Sequence, residues 1–242
     1  MIILYTDFTL QGPYVGQLKA AIYQKNPTIN IIDLMHDAPG FNVKYSACLL
    51  NRLIQYCPDN SVFCCVVDPG VGSARQTIVL KINSQYFIGP DNGLFEYILR
   101  SANKPEAYKI LWEPPQLSYT FHGRDIFAPI AANIAQADFS GIDSMPLNNI
   151  MRFDWADNLY EIIYIDGYGN LMTGIAATAI SVETILEYKG TIIHFSKTYS
   201  DMSAGKLCWY VNSNQLVEIA LREKNAAKTY SSEIGSIINI AK

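Results

Sequence analysis

Val62-Phe63-Cys64-Cys65-Val66-Val67-Asp68-Pro69-Gly70-Val71-Gly72-Ser73-Ala74-Arg75 is the stretch that decides how this chain is read. Val62 to Val67 is apolar at every position, without alternation, which describes a strand buried on both faces of a parallel sheet. The run stops at Asp68, and the Pro-Gly-x-Gly turn after it continues neither strand nor helix. Open α/β sheets bind ligands just beyond the carboxyl ends of their strands. Asp68 therefore stands where such a protein does chemistry, with Arg75 seven residues on to compensate its charge. Asp before Pro-Gly is also an ordinary turn former, so the context has to agree. The glycines match neither G-x-G-x-x-G nor a phosphate loop ending in Gly-Lys-Ser/Thr, so nucleotide phosphates are not what this turn binds.

The rest of the chain supplies that context. At 242 residues, with 50% hydrophobic and 17% charged residues, it is long enough for one large domain or two modest ones around packed cores. A formal net charge of −4 and the lack of any basic block argue against a nucleic-acid partner. The five cysteines, at 48, 57, 64, 65 and 208, have no metal spacing and leave an odd one over, which suits reduced, buried thiols and a cytoplasmic location. Cys64 and Cys65, as neighbours on a strand, are expected to face opposite sides of the sheet. Met1 to Asp7 reads as a strand rather than a signal peptide, and no apolar run is long enough to cross a bilayer.

Short apolar runs alternate with helical spacing from the start. Ile2–Tyr5 and Asn30–Leu34 read as strands, and Tyr14–Gln24 and Lys44–Cys57 as helices. A strand pair is expected at Thr77–Ile82 and Tyr86–Ile88, a short helix at Leu94–Ser101, a strand at Ala107–Trp112 and a helix from Ile126 to about Ala137. This alternation predicts an α/β domain, a mostly parallel sheet with flanking helices. Asp138 to Asn158 breaks into Gly, Pro, Asn and Asp and reads as a connection. Beyond it, Tyr160–Tyr164, Thr191–Phe195, Leu207–Val211 and Leu216–Ala220 are short β runs, with a helical turn expected at Val182–Glu187. The domains are accordingly drawn as residues 1–150, a linker over 151–158, and a small β-barrel domain over 159–242.

The polar residues at predicted strand ends are Asp7, Asp37, Asp68, Asp91 and His122, with Arg75 and Arg124 nearby in sequence. Several such groups on one sheet edge imply a lined cleft. Asp and His are also metal ligands, but no two of these share a tight ligand spacing. Thr6-Asp7-Phe8, Pro13-Tyr14-Val15-Gly16, Val67 to Ser73 with Arg75, Pro90-Asp91-Asn92-Gly93, Phe121 to Pro129, Asp166 to Asn170, and Asn212-Ser213 with Glu218-Ile219-Ala220 together fit one pattern. On these motifs, which run in order from residue 6 to 220, the chain closely resembles the S-adenosylmethionine hydrolases (SAM hydroxide adenosyltransferases), relatives of fluorinase and chlorinase.

The resemblance implies a reaction, S-adenosyl-L-methionine plus water giving adenosine and L-methionine, without metal or cofactor. It implies an α/β domain followed by a small β-barrel, in a homotrimer whose substrate lies between one subunit's first domain and a neighbour's second. It assigns Asp68, Arg75 and His122 to catalysis. Asp7 falls to the ribose, whose two hydroxyls suit a carboxylate's two oxygens, and the adjoining Phe8 to substrate binding. Phe41 packs on the substrate; Asn170 pairs with a polar ligand edge and Tyr168 stacks. Ser213 and Glu218 meet the methionine head group or the adenine edge, and the backbone near Leu221 reads adenine.

Other polar residues read as structural: Arg124 with Asp125 as an ion pair, His36 and Asp37 as pins for a loop, Asp91-Asn92-Gly93 as a turn, and His194 as incidental. Thr9, Gly12 and Gly174 depart from the family pattern, where Gly, Asp and Asn are usual. Two alternatives stay open: a halide-using adenosyl transferase, and a non-catalytic binder of adenosine or S-adenosylmethionine. The first is disfavoured because the halide users carry Tyr where this chain has Asp68, and a carboxylate repels halide while assisting water.

Overall fold

The computed structural model describes residues 1–241, in two compact units, Met1–Asp154 and Trp155–Lys242. The first unit contains β1 (Ile2–Thr6), α1 (Tyr14–Lys25), β2 (Ile31–Met35), α2 (Val43–Leu53), β3 (Val62–Val66), β4 (Thr77–Ile82), β5 (Gln85–Pro90), α3 (Glu96–Ser101), β6 (Glu106–Ile110), α4 (Ala128–Ile134) and β7 (Ile142–Met145). Its seven strands are ordered β2-β1-β3-β5-β4-β6-β7. The first four run parallel to their neighbours; β4, β6 and β7 join antiparallel. The α/β class is as the alternation predicts, with the parallel half confined to the strands that end in Asp7, His36, Asp68 and Asp91.

The period-two geometry of β3 explains why all five of its residues are apolar. Phe63 and Cys65 enter one core with Ile3, Tyr5, Leu50, Ile98 and Leu99, under α2 and α3. Val62, Cys64 and Val66 enter the other with Leu18, Ile22, Phe127 and Ile130, under α1 and α4. Adjacent cysteines thus serve opposite cores. Burial pushes the Cys64 thiol up to about 12 and Cys65 well above its usual value, so both are inert packing groups. The helices fit their faces: α1 buries Val15, Leu18 and Ile22 at helical spacing, and α2 is capped by the Asn42 side chain, which accepts from Tyr45 N at 3.1 Å.

The second unit contains β8 (Leu159–Ile165), β9 (Leu171–Ala176), β10 (Leu186–Tyr188), β11 (Thr191–Phe195), β12 (Leu207–Val211), β13 (Leu216–Leu221), α5 (Ala226–Thr229) and β14 (Asn239–Ile240), with the strands ordered β14-β10-β11-β12-β13-β9-β8. The last segment closes the sheet into a barrel. Gly235 N and Ile238 N donate to Ile162 O (2.7 Å) and Tyr160 O (2.9 Å) on β8, and the chain then pairs through β14 with β10 at the opposite edge. Closure removes the exposed edges around a core of Ile162, Ile175, Tyr188, Trp209 and Ile219. Gly174 has a steric reason: a Cβ there would lie 2.5 Å from Leu159 Cβ across the β8–β9 pair.

Two sequence expectations are corrected. The stretch from Asp138 is not a plain connection, because Ile142–Met145 is a strand on the edge of the first sheet. Met151 N and Phe153 N are bonded to the carboxylates of Asp91 and Glu96, so the first unit extends through them. Ile142 packs against one core and Met145 enters the other, with exposed Asp143 and Ser144 between them, so these four residues show no alternation to read. Val182–Glu187 does not form a helical turn, since Leu186 begins β10, where Leu186 and Tyr188 face the core.

Candidate active site

The parallel half of the first sheet contains a switch point. From β1 the chain crosses to β2 on one side, while β3 lies on the other, so the connections leave the carboxyl ends of β1 and β3 in opposite directions. A crevice opens at such a place. A cavity of about 250 Å³ lies there, lined by Asp7 and Phe8 from the end of β1 and by Asp68, Pro69 and Val71 from the end of β3. Phe41 borders it from the loop before α2, and Tyr14 from the start of α1. Thr120, Phe121, His122 and Gly123 come from the segment before α4.

The turn after β3 folds back on itself. Val71 N donates to Asp68 O and Ser73 N to Gly70 O, while Gly72 takes φ +80 directly beneath the Tyr119 carbonyl, where a Cβ would sit 2.5 Å from that oxygen. A side chain at Gly72 is therefore excluded by both conformation and space. The turn returns Arg75 onto Asp68. Arg75 Nε donates to Oδ1 at 2.7 Å, and Nη2 donates to Oδ2, making a two-pronged pair whose side chains are only 6% and 4% exposed. The guanidinium also lies 5.5 Å over the Phe127 ring, a cation–π contact.

His122 completes the group. Arg75 Nη2 lies 3.2 Å from its Nδ1, and because a guanidinium only donates, Nδ1 accepts. In the neutral ring the proton then sits on Nε2, which is buried and has no hydrogen-bond partner. Burial, and then the charge of Arg75, push the His122 pKa below 6.5, so the ring is neutral at pH 7. Directly after His122 the backbone makes a widened helical turn, with Ala128 N donating to Gly123 O, before α4 begins. Such turns are frequent at functional sites. A Cβ on Gly123 would meet Phe8, Phe121 and Val66 at 3.2–3.4 Å.

Asp7 stands across the cavity. Burial raises its carboxyl pKa, opposed by hydrogen bonds including Phe41 N to Oδ2 at 3.5 Å; Asp68 adds to the rise. Phe41 takes φ +59 and leaves its ring 86% exposed. Phe8, Tyr14 and Phe121 form a ring cluster with centroids 5.4–6.0 Å apart, in which Phe121 meets the other two edge-on and Phe8 and Tyr14 are tilted. The sequence points to Phe8 but not to Tyr14, Thr120 or Phe121 as liners; their one signal is that Tyr14 and Phe121 lie inside the family-like motifs Pro13-Tyr14-Val15-Gly16 and Phe121 to Pro129.

Asp68, Arg75, His122, Asp7, Phe8 and Phe41 thus come together on the first unit. Tyr168 and Asn170 border a separate cavity of about 600 Å³ on the second unit, with Tyr199, Tyr210, Lys224 and Asn225. Their loop is held by Asp166, which accepts from Tyr168 N, Asn170 N and Asn170 Nδ2. Ser213 lies exposed in the turn between β12 and β13. Glu218 is 6% exposed, and its carboxylate accepts from Tyr210 OH and from Asn212 Nδ2 at 2.8 Å. Leu221 is buried, and its carbonyl accepts from Lys224 N. Arg124 and Asp125 form the expected ion pair. Among the described residues, no group of three His, Cys, Asp or Glu side chains could hold a metal ion.

Comparison with known proteins bears on the same architecture. Residues 2–142 match the SAM hydroxide adenosyltransferase N-terminal domain and residues 160–239 the C-terminal domain. A (R)-S-adenosyl-L-methionine hydrolase of Methanocaldococcus jannaschii is 34% identical, over 94% of this chain and 90% of the relative. One from Thermus thermophilus is 28% identical over 99% and 98%. A Nocardia brasiliensis fluorinase is 22% identical over 56% of this chain and 54% of its own length. A crystal structure of an uncharacterized conserved protein from Thermotoga maritima superposes with a TM-score of 0.88 at 29% identity, covering the whole of both chains. With both domains matched in order, this chain belongs to the SAM hydroxide adenosyltransferase family.

Proposed function

We propose that this protein hydrolyses S-adenosyl-L-methionine to adenosine and L-methionine. The observation that carries this reading is the buried Asp68–Arg75 pair with His122 beside it, at the switch-point cavity opposite Asp7. The substrate is a sulfonium ion whose ribose C5′ is open to displacement. A water oxygen attacks C5′ opposite the sulfur, the C5′–S bond breaks with its electron pair going to sulfur, and methionine leaves as a neutral thioether. That leaving group needs no acid, and the chemistry calls for no metal or cofactor. What it needs is an oriented water and somewhere for its proton to go.

Asp68 meets both needs. Each oxygen receives one hydrogen bond from Arg75, leaving lone pairs to accept from water and then to take its proton. His122 Nε2–H donates to the same water oxygen, and the Arg75 charge favours the hydroxide character that develops there. Positioning supplies much of the rest: effective molarity in a well-aligned site can be worth ~7–11 kcal/mol. The aromatic walls keep bulk water out while the sulfonium charge disperses. Asp7 accepts from the ribose hydroxyls, Phe8 and Phe41 pack on the nucleoside, and Tyr168, Asn170, Ser213 and the backbone at Leu221 serve its far end. Glu218, already bonded to Tyr210 and Asn212, acts there by shaping that wall.

The reading extends to a homotrimeric, cytoplasmic enzyme whose sites combine one subunit's first domain with a neighbour's barrel. The two exposed rings Phe41 and Tyr168, 86% and 83% accessible, support it, since each borders a cavity and gains by being covered. The names of the relatives support the (R) sulfonium epimer as the preferred substrate.

The test is to incubate purified protein with each sulfonium epimer, with and without chelator and halide, and follow products by chromatography. Adenosine and methionine, unaffected by chelator, are expected. 5′-Halo-adenosine would indicate the halide reaction instead, and tight binding without turnover a non-catalytic binder. Light scattering is expected to return a trimer mass; a fully active monomer would overturn the shared site.

A further inference from the structure

A second polar relay lies behind Asp7, and nothing in the proposed chemistry uses it. Thr6, the last residue of β1, has its hydroxyl fully buried, 2.8 Å from His36 Nδ1. His36, just past the end of β2, is 5% exposed and places Nε2 3.0 Å from Asp33 Oδ1. Lys19 on α1 reaches the other Asp33 oxygen at 2.5 Å. Directions follow from the ends of the chain. Asp33 is ionised, because the bonds from Lys19 and His36 outweigh its burial and lower its pKa, so Nε2 carries the proton. Phe8 N already donates to Thr6 Oγ1, which leaves the hydroxyl proton for Nδ1. The series runs from Phe8 N–H to Thr6, from the Thr6 hydroxyl to His36 Nδ1, and from His36 Nε2 to Asp33.

The His36 ring and carbonyl both attach to the loop that presents Asp7. Besides the Thr6 contact, the His36 carbonyl accepts from Thr9 N at 2.6 Å, and the nearby Ala38 N donates to Thr6 O at 3.1 Å. Residues 6 and 9 are thus bracketed, with Asp7 and Phe8 between them. The loop is also held in an unfavourable form: Thr9 is β-branched yet has φ +58. Such a conformation persists only where its surroundings over-determine it. One ring nitrogen and the carbonyl of His36 thus converge on the four residues that hold Asp7, while Asp33 takes the other ring nitrogen and fixes the ring.

We propose that His36, acting through Thr6 and Thr9 and oriented by Asp33, is a positioning residue that sets Asp7 for the ribose hydroxyls. This rests on the reading of Asp7 as the ribose group of a SAM hydrolase. Because Asp7 holds the nucleoside but not the attacking water, loosening it weakens substrate and transition state alike, which raises KM and leaves kcat.

Two substitutions at the same position separate the ring's two contacts. In His36→Asn the side-chain oxygen takes the place of Nδ1 and keeps the Thr6 bond; in His36→Gln the amide nitrogen takes the place of Nε2 and keeps only Asp33. Thr6→Val removes the hydroxyl while preserving shape, and stands in if a His36 variant fails to fold. His36→Gln and Thr6→Val are expected to raise KM, and the dissociation constant for adenosine measured by calorimetry, by about three- to tenfold with kcat within about twofold. His36→Asn is expected to recover most of that affinity. Equal effects of Asn and Gln, or a loss in kcat and melting temperature with KM unchanged, would reduce His36 to a structural pin. A wild-type protein that neither binds adenosine nor turns over would remove the SAM-hydrolase reading, and the proposal with it.

Discussion

Two buried carboxylates of the first domain make an informative pair. Glu96, at the start of α3, and Asp68, after β3, are both enclosed and both held by arginine. Glu96 Oε1 accepts from Arg100 Nε and Arg152 Nη2, and Oε2 from Arg152 Nε and Phe153 N, so its four acceptor positions are filled. These bonds outweigh burial and hold its pKa below the usual value. Asp68 receives one bond per oxygen, both from Arg75, and the His122 nitrogen beside the pair is unpartnered. The first cluster is chemically closed and ties Arg152 and Phe153 to the domain. The second is open on its cavity side. A buried ion pair says little by itself; capacity left unspent is what marks a site.

The sharpest way to break this contrast is to remove each carboxylate and ask which property fails. Asp68→Ala is expected to lower kcat about 10²- to 10⁴-fold with far less change in KM, read by single-turnover adenosine formation. An equally active variant would return Asp68 to the structural class. Glu96→Gln is expected to cost about 3 kcal/mol of stability in denaturant unfolding, because it leaves guanidinium groups under-paired, while the folded fraction keeps its kcat/KM.

Acid titration sharpens the open cluster. The His122 pKa lies below 6.5, so kcat/KM is expected to be level near neutrality and to fall only once pH drops beneath that value. There a second ring proton puts N–H on Nδ1, facing Arg75 Nη2, and the pair separates. In His122→Asn that limb is expected to vanish from the pH–rate profile; its persistence would assign it to another group. The smallest effect concerns the loop at Asp7. Thr9→Gly relieves the left-handed strain, and about 1 kcal/mol of added stability is expected, appearing as a rise of about 2–4 °C in melting temperature.

How much of this the sequence disclosed follows from how local each signal is. The run Val62–Val67 ending in Asp68 is legible because a fully buried strand has no polar residue until it leaves the sheet. Arg75 is legible because its partner lies one turn away. His122 is 47 residues from Arg75; the strand-end pattern places both near one sheet edge, and only the family resemblance joins them into one catalytic group. Strand order, and with it the switch point between β1 and β3, comes from tertiary packing that no periodicity encodes. Glu96 and Arg152 resemble ordinary surface charges on a short helix and a polar stretch, so their closed cluster stayed hidden, as did the reach of the first domain to Phe153. Thr9 was visible as a departure from the family pattern, but its cost emerges only with a backbone φ of +58.

The central claim is that the open cluster around Asp68 delivers water to C5′. Turnover of S-adenosyl-L-methionine in ¹⁸O-water, with both products analysed by mass spectrometry, tests it most directly. The expected result is one ¹⁸O in adenosine, at the 5′ oxygen, and none in methionine. Label in the methionine-derived product, or methylthioadenosine in place of adenosine, would mean that a different bond is broken and would contradict the account.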